Sequence, residues 1–156
     1  MSLFEDDQYQ YCDTYFVYFD HEQHPTAKAV VEALQKTDER CEISDVRELD
    51  GKFEALCLRS PHDASAMDIT VVRGDEVREQ INELMDEFRT MTLNGDDYQK
   101  LDMMKRADTR LDLFHFERVG DSVEPAFDPG GLFLVLQKLN QVCSGVGLDP
   151  QSKTLI

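Results

Sequence analysis

Apolar residues follow one another most densely near the start of the chain. Between Thr14 and Asp20 nearly every residue is aromatic or β-branched, which predicts a strand with apolar side chains on both faces. A polar loop, residues 20–24, comes next, and Pro25 then suits the first position of a helix. The apolar residues of that helix recur at helical spacing: Ala27, Val30, Val31 and Leu34. The pattern predicts a strand, a loop and a helix packed back on the strand.

The middle of the chain predicts a hairpin, a short strand and two helices. Asp50-Gly51 separates two alternating segments, residues 43–49 and 52–59, and this dipeptide favours a tight hairpin turn. Residues 67–72 alternate as a short strand. The apolar stripe of residues 75–91 predicts a helix ended by Asn94-Gly95, and Asp96 or Asp97 then caps a shorter helix reaching about residue 106.

The last third predicts another central strand and a very apolar helix. Residues 111–119 place Phe114 and Phe116 on one face and leucines with His115 on the other. Residues 132–143 form the helix, which we expect to cover the second face of the sheet, and residues 145–156 form a short terminal hairpin.

These elements predict an α+β fold with a ferredoxin-like split βαβ core, in two to three layers. The C-terminal helix and the terminal hairpin are additions to that core. We expect residues 1–12 to be a loose N-terminal arm and residues 13–156 to form a single α+β domain. The alternative is a small open α/β sheet with another strand order.

The net charge of the chain disfavours two classes of binding partner. The 156 residues carry a formal net charge of −16, which disfavours nucleic acid and anionic membranes as direct partners. The four cysteines form no C-x-x-C pair, no signal peptide opens the chain, and the apolar run of residues 132–136 is too short to span a bilayer. The sequence therefore predicts a cytoplasmic protein with reduced thiols.

Histidine and carboxylate side chains supply the weak candidates for a metal site: Asp20, His21, His24 and His62. Their spacing matches no established metal motif such as H-E-x-x-H. Ser60, His62 and Asp63 are the residue types of a catalytic triad, but neighbours in sequence seldom reach the opposed geometry that a triad needs. We therefore predict no catalytic residue, no cofactor-binding residue and no cofactor, and we expect His115 to be a hydrogen-bonded core residue.

No motif selects a function. The acidic surface and the missing catalytic constellation favour a non-catalytic protein-interaction or regulatory module, with an unidentified protein as its partner. The alternative is a small metal-binding protein or enzyme that uses the loop of residues 20–24. An acidic mimic of nucleic acid is a third hypothesis, and it is disfavoured because the acids are spread along the chain. A homodimer is possible, and its association should strengthen with salt because salt screens the repulsion between copies.

Overall fold

The computed structural model describes residues 3–119 and 129–156, and at residues 63, 129 and 130 it describes the backbone alone. These residues form a mixed α+β fold with a seven-stranded antiparallel sheet and four α-helices. The strands are β1 (Tyr9–Phe19), β2 (Glu42–Leu49), β3 (Lys52–Ser60), β4 (Ser65–Arg73), β5 (Thr109–Arg118), β6 (Val146–Asp149) and β7 (Thr154–Leu155). The helices are α1 (Ala27–Thr37), α2 (Asp75–Phe88), α3 (Gly95–Lys105) and α4 (Pro129–Cys143).

The strand order is β2-β3-β4-β5-β1-β6-β7, and all neighbours are antiparallel. The predicted ferredoxin-like core is not confirmed, and the sheet is larger than such a core. Helix α1 joins β1 to β2, and three strands lie between them where a split βαβ unit has one. The two strands are separated because β2, β3, β4 and β5 pair in sequence order, and β5 then pairs with β1.

The predicted hairpin is present between β2 and β3. Both turn residues have positive φ, 52° at Asp50 and 78° at Gly51, as a two-residue turn of this kind requires. Strand β2 lies at the edge of the sheet. Asp45, with φ of 54°, interrupts its pairing with β3 between Ser44 and Arg47. This bulge and the charged residues beside it obstruct pairing of the edge with another chain.

Both faces of the sheet are covered, as the doubly apolar strands predict. Helices α1 and α4 pack together over one face, around Val17 and Leu113 of the central strands. Helices α2 and α3 cover the other face around Tyr18. The expectation that the last helix covers the second face is therefore corrected. Residues of α1 and α4 belong to one apolar cluster with β1 and β5, so both helices lie on the same face.

The N-terminal segment differs from the predicted loose arm. A 3₁₀ turn spans Leu3–Glu5, and β1 already begins at Tyr9. Leu3 is fully buried, and its backbone N–H donates to the Asp68 carboxylate at 2.9 Å. The phenyl ring of Phe4 lies edge-on to Phe116, with ring centroids 4.8 Å apart. The buried Leu3 side chain and the hydrogen bond to Asp68 hold this segment on the sheet.

The two middle helices begin and end where local hydrogen bonds place them. Helix α2 ends at Phe88, three residues earlier than predicted. Helix α3 is capped by Asn94, whose side chain accepts from the N–H of Asp97, while the Asp97 carboxylate accepts from the N–H of Asn94. This reciprocal capping box makes Gly95 the first residue of α3 rather than the end of α2. No helix among the described residues is long and apolar enough to cross a membrane.

Candidate functional site

The end of β1 presents two of the predicted metal-binding residues. Asp20 follows the last residue of the strand and caps a short 3₁₀ helix, His21–Gln23, by accepting a hydrogen bond from the N–H of Glu22 at 3.0 Å. The cap fixes the Asp20 side chain at the start of the loop. His21, the next residue, is largely exposed, with 67% of its side chain open to solvent.

The antiparallel pairing of β1 with β5 brings Asp108 to the same place. Phe19 lies opposite Thr109, so the residue after β1 and the residue before β5 must meet at one end of the sheet. Asp108 Oδ1 accepts hydrogen bonds from the N–H of His21 at 2.8 Å and from the Thr109 hydroxyl at 3.0 Å. Asp108 Oδ2 lies 2.5 Å from His21 Nδ1. These contacts hold the Asp108 carboxylate against the imidazole.

The pairing shifts the titration of both partners. The hydrogen bond and the charge of Asp108 raise the pKa of His21 above its ordinary value. Burial alone would raise the pKa of Asp108, but the hydrogen bonds from His21 and Thr109 outweigh it, and the pKa of Asp108 is lowered. Both shifts favour the charged forms of the pair, an imidazolium at His21 and a carboxylate at Asp108.

Asp20, His21 and Asp108 form a cluster of three groups whose ligand atoms all lie within 4.8 Å of one another. An ion with bonds of about 2.1 Å in tetrahedral geometry separates its ligand atoms by about 3.4 Å. His21 Nδ1 lies 3.4 Å from Asp20 Oδ1, so this pair already has that spacing. The contact of His21 Nδ1 with Asp108 Oδ2 is 2.5 Å and must open by about 0.9 Å when an ion replaces the shared proton.

The other two predicted metal-binding residues lie elsewhere. His24 Nε2 lies 2.7 Å from the carbonyl oxygen of Phe53, and its ring packs edge-on against Phe19. His62 Nε2 lies 2.8 Å from Asp38 Oδ2, on the side of the sheet that α1 and α4 cover. The structure thus brings Asp20 and His21 together, separates His24 and His62 from them, and adds Asp108, which the sequence analysis missed. The strand register carries the missing signal, because it places the residue before β5 beside the end of β1.

The cluster opens into a groove of about 750 Å³ between the β1 loop and the start of α2. Three arginines line it in a chain that is otherwise rich in acids. Arg78 donates to the carbonyls of Lys105 and Ala107 at 2.8 and 2.7 Å, and Arg73 pairs with Glu54. Arg78 therefore joins α2 to the end of α3, which stiffens the wall of the groove.

Ser60 and His62 come together, and Asp38 takes the place of the acid that a triad needs. The Ser60 hydroxyl lies 3.5 Å from His62 Nδ1 and 3.4 Å from Nε2. These contacts are long and nearly equal, so the hydroxyl lies away from the lone-pair axis of either nitrogen, which is not the geometry of an activated nucleophile. The side chain of Asp63 lies outside the described part of the chain.

His115 is buried, with 2% of its side chain exposed, and its Nδ1 lies 3.0 Å from Asp13 Oδ1. The Tyr15 hydroxyl donates to the other oxygen of the same carboxylate at 2.9 Å. The prediction of a hydrogen-bonded core histidine is confirmed.

Comparison of the chain with known protein families, with curated proteins and with solved structures found no match.

Proposed function

We propose that this protein is a non-catalytic binding module of regulatory or protein-interaction type that holds a divalent transition-metal ion at Asp20, His21 and Asp108. The observation that carries the proposal is the convergence of one imidazole and two carboxylates within 4.8 Å, from segments 87 residues apart. Imidazole and carboxylate together suit zinc and neighbouring transition metals better than calcium or magnesium.

Three protein ligands leave a fourth coordination position for another group. The cluster faces an open groove, so a side chain of a partner protein can reach that position. The net charge of −16 attracts the cation and favours a basic partner over nucleic acid. The ion in this way links metal binding to protein interaction, because a side chain of the partner completes its coordination.

Isothermal titration calorimetry with Zn²⁺ tests the metal site. We expect one ion per chain for the wild type and a loss of affinity of at least tenfold in His21→Ala and in Asp108→Asn. Asparagine keeps an acceptor for the N–H of His21, so the second substitution removes the charge with little change of the loop. His24→Ala is the matched control, since His24 lies in the same loop but contacts Phe53 instead of the cluster.

Two results contradict this proposal. One is no heat of binding and no thermal shift with Zn²⁺ at hundreds of micromolar. The other is binding that His21→Ala and Asp108→Asn leave intact, because the ion then lies elsewhere on the acidic surface.

We also propose that the module works in the cytoplasm, which all four cysteines support as free thiols. The homodimer stays a prediction, and the bulge at Asp45 argues against a dimer built on β2. Sedimentation equilibrium at low and high salt tests it. The prediction requires association that strengthens with salt, and a monomer near 18.0 kDa in both conditions ends it.

A further inference from the structure

A second candidate binding surface lies along the first half of β1. Strand β5 pairs with β1 from Tyr9 to Phe19, whereas β6, on the other side of β1, pairs only with residues 16–18. Strand β6 then ends at Asp149. Within residues 3–119 and 129–156, no strand therefore pairs with the outer side of residues 9–14, a length of about 20 Å. An unpaired strand edge is a template for another extended chain.

The backbone of Tyr11 faces this open side. The Gln8 carbonyl accepts a hydrogen bond from the N–H of Val119 on the β5 side. The N–H of Tyr9 points the other way, to the carbonyl of Asp6. Backbone groups alternate between the two sides of a strand, so the N–H and C=O of Tyr11 point outward as the N–H of Tyr9 does. A peptide laid along this edge can therefore exchange backbone hydrogen bonds with Tyr11.

This edge lacks the charges that protect the outer strand β2. Gln10, Tyr11 and Cys12 are exposed and uncharged, whereas β2 exposes Asp45 and Arg47. A bulge at Cys12 shifts the register with β5 and bends the strand, so regular pairing is limited to the residues before it. Side-chain contacts must therefore supply part of the affinity for a peptide.

The two faces of the edge differ in chemistry. On one face the rings of Tyr11 and Phe4 stack with centroids 5.6 Å apart, and the two residues are 44% and 58% exposed. On the other face Asp13 accepts a hydrogen bond from the Tyr15 hydroxyl. Asp149 lies there too, since burial, then Asp13, then the charge of Asp149 raise the pKa of Tyr15. A strand added here meets aromatic rings on one face and carboxylates on the other.

Charge determines which extended chain fits this edge. A second copy of the protein would bring the same carboxylates to its own edge, and like charges opposite each other in a strand pair are unfavourable. A chain with lysine or arginine on one face meets the carboxylates with opposite charge. Arg59 and Arg118 lie at the start of the edge, where Arg118 opposes Tyr9 and Arg59 pairs with Asp6. The far end of the edge is therefore the acidic end.

We propose that the open edge of β1 binds an extended basic segment of a partner protein by strand addition, with apolar side chains against the ring of Tyr11 and lysine or arginine against Asp13 and Asp149. This surface goes beyond the metal proposal, because it shares no residue with the metal cluster. Its binding is measured in EDTA, so that failure of one proposal leaves the other to its own test.

The probe is an octapeptide of alternating lysine and valine with blocked ends. Titration calorimetry gives its affinity for the full chain, and amide hydrogen exchange followed by NMR reports the backbone contact. We expect saturable binding of one peptide per chain, with exchange of the Tyr11 N–H slowed at least about tenfold. A peptide with glutamate in place of lysine should bind at least about tenfold more weakly. So should the lysine peptide with every backbone N–H methylated, which keeps the charges and loses the donors.

Two variants test the two faces of the edge. Tyr11→Ala removes the aromatic ring and should weaken binding of the lysine peptide at least about fivefold, with Tyr98→Ala, 59% exposed on α3, as its control. Asp149→Asn removes a charge and keeps the acceptor for the N–H of Gln151, so it should weaken binding at least about threefold. Glu79→Gln removes an exposed charge on α2 and is the matched control.

Four results overturn the proposal. One is no binding of the lysine peptide at millimolar concentration, and another is equal binding of the lysine and glutamate peptides. The third is binding without slower exchange of the Tyr11 N–H, because the peptide then lies elsewhere on the acidic surface. The fourth is a dimer of the free chain in sedimentation equilibrium whose Tyr11 N–H is already protected, because a second copy then occupies the edge.

Discussion

Truncating Leu136 to alanine should destabilise the protein strongly, while the same change at Leu134 should hardly be felt. Leu136 is fully buried between α1 and the sheet, whereas Leu134, two residues earlier on α4, is 48% exposed. Leu-to-Ala substitutions in cores lower the free energy of unfolding by about 2.7–5.0 kcal/mol, because apolar contact is lost and a cavity remains. We expect about 3 kcal/mol for Leu136→Ala and less than about 0.5 kcal/mol for Leu134→Ala.

For a chain of this length each kcal/mol shifts the melting temperature by about 2–4 °C, so Leu136→Ala should melt about 6–12 °C below the wild type. Urea denaturation and thermal melting by circular dichroism measure both variants. Leu136→Asp buries an unpaired carboxylate, which costs several kcal/mol, comparable to the whole stability of a domain, and it should prevent soluble folding. Equal melting temperatures for Leu136→Ala and Leu134→Ala would refute the assignment of the buried face of α4.

Three further predictions concern a turn, the thiols and pH. Gly51→Ala places a side chain at φ of +78° and should lower stability by about 1 kcal/mol, while Gly95→Ala, in a helical position with open space, should raise it by about 0.5 kcal/mol in urea denaturation. Burial raises the pKa of Cys12 to about 11, with further contributions from nearby acids, so iodoacetamide should alkylate it about tenfold more slowly than a free thiol near pH 8. The buried Cys143, with a pKa of about 12, should react only on unfolding, as mass spectrometry would record. Because the pKa of His21 is raised in the fold, its contribution to stability is complete below about pH 6.5 and is lost as pH rises through the raised value. The stability difference between wild type and His21→Ala, in EDTA, should therefore shrink from about pH 5.5 to about pH 9, and a difference that grows would contradict the ion pair.

The local pattern of the sequence determined the elements and their buried faces. Alternation along residues 14–20 correctly put Tyr18 on one face of β1 and Val17 on the other. Asp50-Gly51 specified its hairpin, because both residues tolerate positive φ. These features depend on residues within a few positions of one another, where steric limits and the periods of strand and helix decide the conformation.

Only the tertiary structure decided how distant elements meet. The helical spacing of Leu132, Val135, Leu136 and Leu139 already indicates the buried face of α4, and the structure buries these residues. Only the packing decided that α4 lies beside α1, on the same face of the sheet. The strand order, likewise, depends on pairing free energies summed over many residues, which no short segment carries.

The same limit applies to the candidate sites. Asp20 and His21 were found from the sequence because they are neighbours, but Asp108 joins them only through the register of β1 with β5. Asp38 reaches His62 in the same manner, across the end of α1 and the turn after β3. A sequence lists the groups that can bind a ligand, whereas the distances that make them a site arise from chain segments brought together by burial of the apolar faces between them.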